Sequence, residues 1–118
     1  MNASIIPFDS ARRKQPGVCF VERTSVAGTG HIPGIKHFAQ RLSAGERLIF
    51  ERDARNRHDL YAVCVSDTRG NRLGYLSCEF NEIVSRLMDG GKQVSGLVRS
   101  VNQVGRWTKI DMAVMLDD

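Results

Sequence analysis

Several patterns that would assign this 118-residue sequence to a well-defined class are missing. The three cysteines, Cys19, Cys64 and Cys78, are odd in number and contain no CxxC pair, so no disulfide framework is indicated. No apolar run approaches the roughly 20 residues that a membrane-spanning helix needs. The N-terminal residues include no apolar segment after their few charges, so we expect no signal peptide. These absences favour a reducing compartment, and we predict the cytoplasm.

Signals for metal binding and catalysis are also absent. His31 and His37 are six residues apart and Cys78 is distant, a spacing that matches no common zinc site. No phosphate-binding loop of the Walker type is present. Asp53 and Asp59 are flanked by arginines, and we interpret them as ion-pair partners of those arginines rather than as paired catalytic carboxylates. We therefore predict a protein that needs no metal and no cofactor and has no catalytic residues.

The positive charge is distributed unevenly along the chain. Residues 1–60 contain ten Lys and Arg against six Asp and Glu, whereas residues 61–118 contain seven of each. The whole net charge of +4 therefore lies in the first half. A localised excess of this kind favours a polyanionic partner such as nucleic acid, and the alternative is an ordinary solvated surface.

Eleven glycines against three prolines suggest many tight turns, as in a mostly β protein. Residues 1–16, which include Arg12-Arg13-Lys14, are predicted to form a flexible basic arm, and residues 17–118 a single domain. Hydrophobic periodicity predicts the order β-α-β-β-β-α-β-β. The predicted strands cover residues 17–27, 46–52, 60–66, 72–76, 92–102 and 107–116, and the first helix covers residues 35–42. Six short strands with two small helices fit a small, partly open β-barrel.

The second helix has the clearest local signal. Ser77 is predicted to be its N-cap, and Gly90 ends it. Its apolar face is predicted to contain Phe80, Ile83, Val84, Leu87 and Met88. Two of the cysteines, Cys19 and Cys64, lie in strand-like runs and are expected to be buried thiols.

The connection between the second and third predicted strands carries the densest group of hydrogen-bonding side chains. We name residues 52–63 the arginine-rich corner. Arginine binds phosphate through a two-pronged guanidinium, and a ring provides a stacking surface for an unpaired base. The candidate nucleic-acid-binding residues are His31, Arg52, Arg55, Asn56, Arg57, His58, Asp59, Tyr75, Arg106 and Trp107. Core packing is the alternative for Tyr75 and Trp107, and a role in the turn is the alternative for His58.

Taken together, the motifs of residues 20–101 resemble the HIRAN domain, which occurs in helicase-like DNA-repair proteins and as a standalone bacterial protein. The matching segments follow the family's order. They are Val26–Gly28, Leu42–Gly45, Leu48–Asp53, Asn56–Asp59, Ala62, Val63, Val65, Gly70, Leu73–Leu76 and Leu87–Gly90.

The resemblance implies an OB-like β-barrel that binds DNA with a preference for single-stranded 3′ ends. In the family two aromatic side chains enclose the terminal base and an aspartate contacts the terminal hydroxyl group. By position that aspartate is Asp59, with Asn56 beside it. The positions of the family's two tyrosines are occupied here by His58 and, approximately, by His31. Trp107 is a further candidate for stacking.

We therefore expect a non-catalytic module that binds single-stranded DNA or DNA 3′ ends, with DNA repair or processing as the expected context. Two alternatives remain open at this stage. The barrel could be a protein-interaction module that docks onto a helicase or a nuclease, since a barrel edge can accept an added strand. It could also be an enzyme that acts on the ends of nucleic acids.

Overall fold

The computed structural model describes residues 17–117, so the predicted basic arm, residues 1–16, lies outside the described residues. Within them the order of strands and helices agrees with the predicted one, with one added 3-10 turn. The strands are β1 Val18–Ser25, β2 Arg47–Arg52, β3 Val63–Ser66, β4 Arg72–Tyr75, β5 Val94–Val104 and β6 Trp107–Leu116. The helices are α1 Ile35–Gln40 and α2 Asn81–Asp89, and the 3-10 turn is Thr29–His31.

All six strands form one antiparallel sheet in the order β1-β6-β5-β2-β3-β4. The sheet curls until its two outer strands meet, which gives the OB-like partly open barrel. Their only bridge among the described residues joins Ala27, just after β1, to Tyr75 at the end of β4. Two backbone hydrogen bonds of 2.8 Å connect this pair, one in each direction. We name this contact the seam.

The core fills the concave side of the curled sheet. Leu48 of β2, Val65 of β3 and Leu73 of β4 have no exposed surface, and Ile110 and Met112 of β6 are equally buried. Alternation along β2, where Leu48 and Phe50 are buried and their neighbours are exposed, shows the period of two on which the sequence prediction rested.

Four local predictions differ from the structure. The second helix begins at Asn81 rather than directly after Ser77, because the Ser77 carbonyl oxygen accepts the amides of Phe80 and Asn81 in a separate turn. Ile83 is 49% exposed and lies off the core face of α2. Cys19 is exposed, whereas Cys64 is buried as expected.

The fourth difference affects the arginine-rich corner. The third strand begins at Val63 rather than at residue 60, so the connection after β2 is longer than predicted. Among the described residues no helix is long and apolar enough to cross a membrane.

A buried carboxylate on β6 makes the stability of the fold depend on pH. Asp111 accepts hydrogen bonds from Ser25 Oγ at 2.6 Å and from the Arg23 guanidinium at 3.0 Å, and Lys109 Nζ lies 3.5 Å away. Burial alone would raise the pKa of Asp111, but these donors and cations outweigh it and hold that pKa below its ordinary value.

Because the pKa of Asp111 is lower in the folded state, its contribution to stability is present above the unfolded value of about 3.9 and is lost as the pH falls through the folded value. We expect urea unfolding to show Asp111→Asn less stable than the parent protein at pH 7. The difference should shrink progressively below about pH 4. A difference that stays constant down to pH 2.5 would contradict this assignment.

Candidate functional site

The arginine-rich corner is ordered by its own polar side chains. Asn56 Oδ1 accepts the backbone amides of His58 at 2.9 Å and Asp59 at 3.1 Å, which bends the chain into a tight turn. Asp59 Oδ1 in turn accepts the amide of Tyr61 at 2.9 Å. These bonds follow the usual habit of Asn and Asp in turns, where a short side chain replaces a backbone acceptor. The corner is therefore a preformed structure rather than a loose loop.

A long-range bond fixes Asp59 to the second helix. Asn81 is buried at the start of α2, and its Nδ2 donates to Asp59 Oδ2 at 2.7 Å. Each carboxylate oxygen of Asp59 thus accepts one hydrogen bond from the protein and keeps capacity for another. Asp59 therefore holds a defined position and can still accept a hydrogen bond from a ligand.

Tyr75 connects the corner to the seam. Its hydroxyl group donates to Asp53 Oδ2 at 3.3 Å, and Asn56 Nδ2 donates to the same oxygen at 3.3 Å. Burial raises the pKa of Tyr75, and the negative charge of Asp53 raises it further, so the phenol stays protonated and is a donor. The guanidinium carbon of Arg72 lies 5.9 Å from the centre of its ring.

The corner, the seam and the start of α2 enclose a cleft of about 330 Å³. Four predicted site residues line it together: Asn56, His58, Asp59 and Tyr75. The other lining residues are Ala27, Ala62, Leu76, Cys78 and Asn81. The cleft thus combines an exposed imidazole, a half-buried phenol ring, a carboxylate and an amide around an apolar floor. We name it the corner cleft.

The three corner arginines differ in their surroundings. The Arg52 guanidinium is occupied, since it donates to the carbonyl oxygens of Leu60 and Ala62 and pairs with Asp89 at 2.9 Å. Arg55 and Arg57 are exposed and form no ion pair within residues 17–117. This geometry gives Arg52 a structural role, and any phosphate would have to compete with Asp89 for it.

The expected ion pairs of the corner carboxylates do not form. Asp53 and Asp59 accept hydrogen bonds from amide, phenol and backbone donors, and neither contacts an arginine in the described part of the chain. Their charges are therefore stabilised by neutral donors, which leaves Arg55 and Arg57 available for an external anion.

The remaining predicted residues lie outside the corner cleft on neighbouring surface. His31 is exposed on the 3-10 turn, which Thr29 Oγ1 ties to the Thr108 carbonyl oxygen at 2.8 Å. Trp107 begins β6 and is 45% exposed, so core packing does not account for its position. Lys109 Nζ lies 5.8 Å from the centre of the Trp107 ring, and Arg106 is exposed in the preceding turn. The 3-10 turn therefore lies between the seam and the exposed tryptophan.

Of the five lining residues that were not predicted, two have side chains that can form hydrogen bonds, Asn81 and Cys78. Asn81 has a weak signal in the sequence, since it precedes Val84 by three residues and so lies on the buried face of α2. Cys78 has none, because its exposed thiol lies in the turn that precedes α2. No cluster of three or more His, Cys, Asp or Glu side chains in residues 17–117 could hold a metal ion.

Comparison with known proteins gives one family. A family model described as the HIRAN domain matches residues 20–117. The helicase-like transcription factors of Oryctolagus cuniculus and Homo sapiens are each 29% identical over 70 residues, which is 58% of this chain. The aligned segment spans only 7% of the length of these curated relatives.

Solved structures share the fold. A protein from Lactobacillus plantarum superposes with a TM-score of 0.72 at 22% identity, covering 80% of this chain and 89% of that chain. The crystal structure of the HIRAN domain of human HLTF superposes with a TM-score of 0.63 at 24% identity, covering 87% and 82%. The predicted class, a mainly β OB-like barrel with two short helices, is thereby confirmed.

Proposed function

This chain belongs to the HIRAN domain family, a family of binding domains rather than of enzymes, and on that premise we propose that it binds single-stranded DNA at its 3′ end. One observation carries the proposal. The fold brings Asn56, His58, Asp59 and Tyr75 to one cleft and leaves two uncommitted arginines, Arg55 and Arg57, on the same connection.

The terminal nucleotide would occupy the corner cleft. Its base would lie against the rings of His58 and Tyr75, because aromatic faces stack on unpaired bases. Its 3′ hydroxyl group would donate to Asp59, whose two oxygens each retain acceptor capacity. Asn56 Oδ1 accepts the backbone amides of His58 and Asp59, so its contribution is to fix the positions of these two residues in the turn.

The phosphates would lie beside Arg55 and Arg57, with His31, Arg106 and Trp107 along the path of the preceding nucleotides. Arginine provides paired donors that match phosphate oxygens, and an exposed indole is the largest stacking surface among the side chains. Such a module would recognise DNA ends during repair or processing. Its three free thiols fit a reducing compartment, and we propose the cytoplasm.

A second function is favoured by a separate surface. The outer edge of β1 is unpaired over Val18 to Arg23 among the described residues, and Val18 and Phe20 are 68% and 38% exposed on that strand. An extended segment of a helicase or nuclease could add to this edge as a further strand. Both functions can coexist, since the β1 edge and the corner cleft use different residues.

Removal of the two uncommitted arginines tests the principal function. We expect Arg55→Ala/Arg57→Ala to weaken binding of a 5′-labelled oligonucleotide about tenfold at low salt, measured by fluorescence anisotropy. The negative slope of log affinity against log salt concentration should become less steep by about 1.4, since each phosphate contact on a single strand contributes about 0.7.

The matched control is Arg47→Ala/Arg99→Ala, which removes the same charge from exposed positions on β2 and β5 that do not line the cleft. It should lower affinity much less and leave the slope almost unchanged. Equal losses in the two double variants would mean that only net charge matters. An absence of binding by the parent protein to any oligonucleotide at low salt would refute the function.

A further inference from the structure

A second cavity of the described chain lies away from the corner cleft. It is a groove of about 540 Å³ between α1 and the distal half of the β5–β6 hairpin. Its polar lining residues are Lys36, Gln40, Asn102, Gln103 and Thr108. Its apolar lining residues are Ala39, Leu42 and Val101. None of these residues belongs to the corner cleft or to the predicted site.

Some polar side chains of this groove already have hydrogen-bond partners, and others do not. Gln103 is committed, since it accepts from Thr108 Oγ1 at 2.8 Å and donates to the Gly105 carbonyl oxygen at 3.0 Å. Gln40 and Asn102 make no side-chain hydrogen bond to any other residue in the range 17–117, and Lys36 makes no ion pair there. The groove therefore offers two open amides and one open cation above an apolar floor.

That combination matches a nucleotide. An amide presents a donor and an acceptor together, which is what the edge of an unpaired base presents in return. A lysine ammonium binds phosphate as a compact positive charge. The apolar side chains of Leu42 and Val101 provide the surface on which the face of a base can rest.

The position of the groove extends the proposed strand path. Thr108 lines the groove, and its carbonyl oxygen accepts a hydrogen bond from Thr29 Oγ1 of the 3-10 turn at 2.8 Å. Helix α1, which contributes Lys36 and Gln40, begins four residues after His31. A strand that leaves the corner cleft and crosses the 3-10 turn would therefore reach this groove.

We propose that the groove between α1 and the β5–β6 hairpin is a second subsite, which binds an internal nucleotide of the strand whose 3′ end occupies the corner cleft. This inference rests on the proposed function. It adds that recognition extends beyond the terminal nucleotide, that Gln40 and Asn102 contact a base edge, and that Lys36 contacts a phosphate.

An abasic scan tests the subsite. The ligands would be oligothymidylates of eight nucleotides with a free 3′ hydroxyl group. Each of them would carry one abasic residue, placed at one of the second to sixth positions from the 3′ end. With the parent protein, one or two internal positions should lose affinity about fivefold, since each contacted base contributes to binding. In the Lys36→Ala/Gln40→Ala variant, an abasic residue at those positions should cause almost no further loss of affinity.

The chain offers a matched control. Lys92→Ala/Gln93→Ala removes the same two residue types from exposed positions just before β5, away from the groove. It should retain the abasic penalty of the parent protein. Because Lys36 and Gln40 are exposed, their replacement should leave the urea unfolding transition unchanged, which excludes misfolding as the cause.

The outcomes separate the two proposals. An equal abasic penalty in the parent protein and in Lys36→Ala/Gln40→Ala would overturn the subsite and leave 3′-end binding intact. A parent protein whose affinity is the same for a dinucleotide and an octanucleotide would overturn it as well. Failure to bind any oligonucleotide would overturn the proposed function, and the subsite with it.

Discussion

Replacing Gly74 by alanine should lower the free energy of unfolding by about 4 kcal/mol, the largest loss that we expect from adding a single methyl group. A Cβ atom at this position would collide with the Ala27 carbonyl oxygen and lie 2.8 Å from Val26 Cγ1. The neighbouring seam consists of two hydrogen bonds between Ala27 and Tyr75, so the added atom must push the outer strands apart. Overpacking and the loss of both bonds then act together.

Urea unfolding followed by tryptophan fluorescence measures the effect, and Gly30→Ala is the matched control. Nothing lies within 4 Å of a Cβ atom built at Gly30, so that variant should unfold within about 0.5 kcal/mol of the parent protein. The Gly74 variant should also bind oligonucleotides poorly where it is still folded, since Ala27 and Tyr75 line the corner cleft. A Gly74→Ala protein of normal stability would show that the seam does not close the barrel.

Periodicity predicted the order of the elements because each strand has one side toward the core. The errors occur where a side chain replaces a backbone group as a hydrogen-bond partner. Residues 60–62 have the composition of a strand, but the last backbone bond of the pairing joins the Asp53 amide to the Ala62 carbonyl oxygen. The Leu60 carbonyl oxygen accepts the Arg52 guanidinium instead of a backbone amide. Similarly, Ser77 Oγ accepts the Glu79 amide at 3.2 Å in the turn that precedes α2, and the helix begins only at Asn81. Such contacts depend on the three-dimensional path and leave little trace in a hydrophobic pattern.

The candidate site could be predicted in part for the same reason. Asn56, His58 and Asp59 are near neighbours in the chain, so a local motif was enough to select them. Tyr75 is connected to this group by a hydrogen bond to Asp53, and Asn81 by a hydrogen bond to Asp59. Each bond joins two residues that are 22 positions apart in the sequence, so it depends on how the barrel closes. The binding roles of these residues remain predictions, and the terminal hydroxyl contact of Asp59 is the most specific of them.

Replacing Asp59 by asparagine should erase discrimination between 3′-hydroxyl and 3′-phosphate ends. A phosphate beside the Asp59 carboxylate meets a like charge in a partly enclosed cleft, so the parent protein should bind the phosphorylated end about 30-fold more weakly. An asparagine preserves the fold, because its Oδ1 still accepts the Tyr61 amide and its Nδ2 can donate to Asn81 after rotation of that amide. The ratio of the two affinities should fall to about two.

The informative quantity is this ratio, because general damage to the domain would weaken binding of both ends equally. Glu51→Gln is the appropriate control, since it removes one exposed carboxylate from the neighbouring strand without touching the cleft, and it should retain the parent ratio. If the parent protein binds both ends equally, Asp59 does not contact the strand terminus. In that case the hydrogen bond from Asn81 has only a structural purpose, and the cleft binds bases without reading the end of the strand.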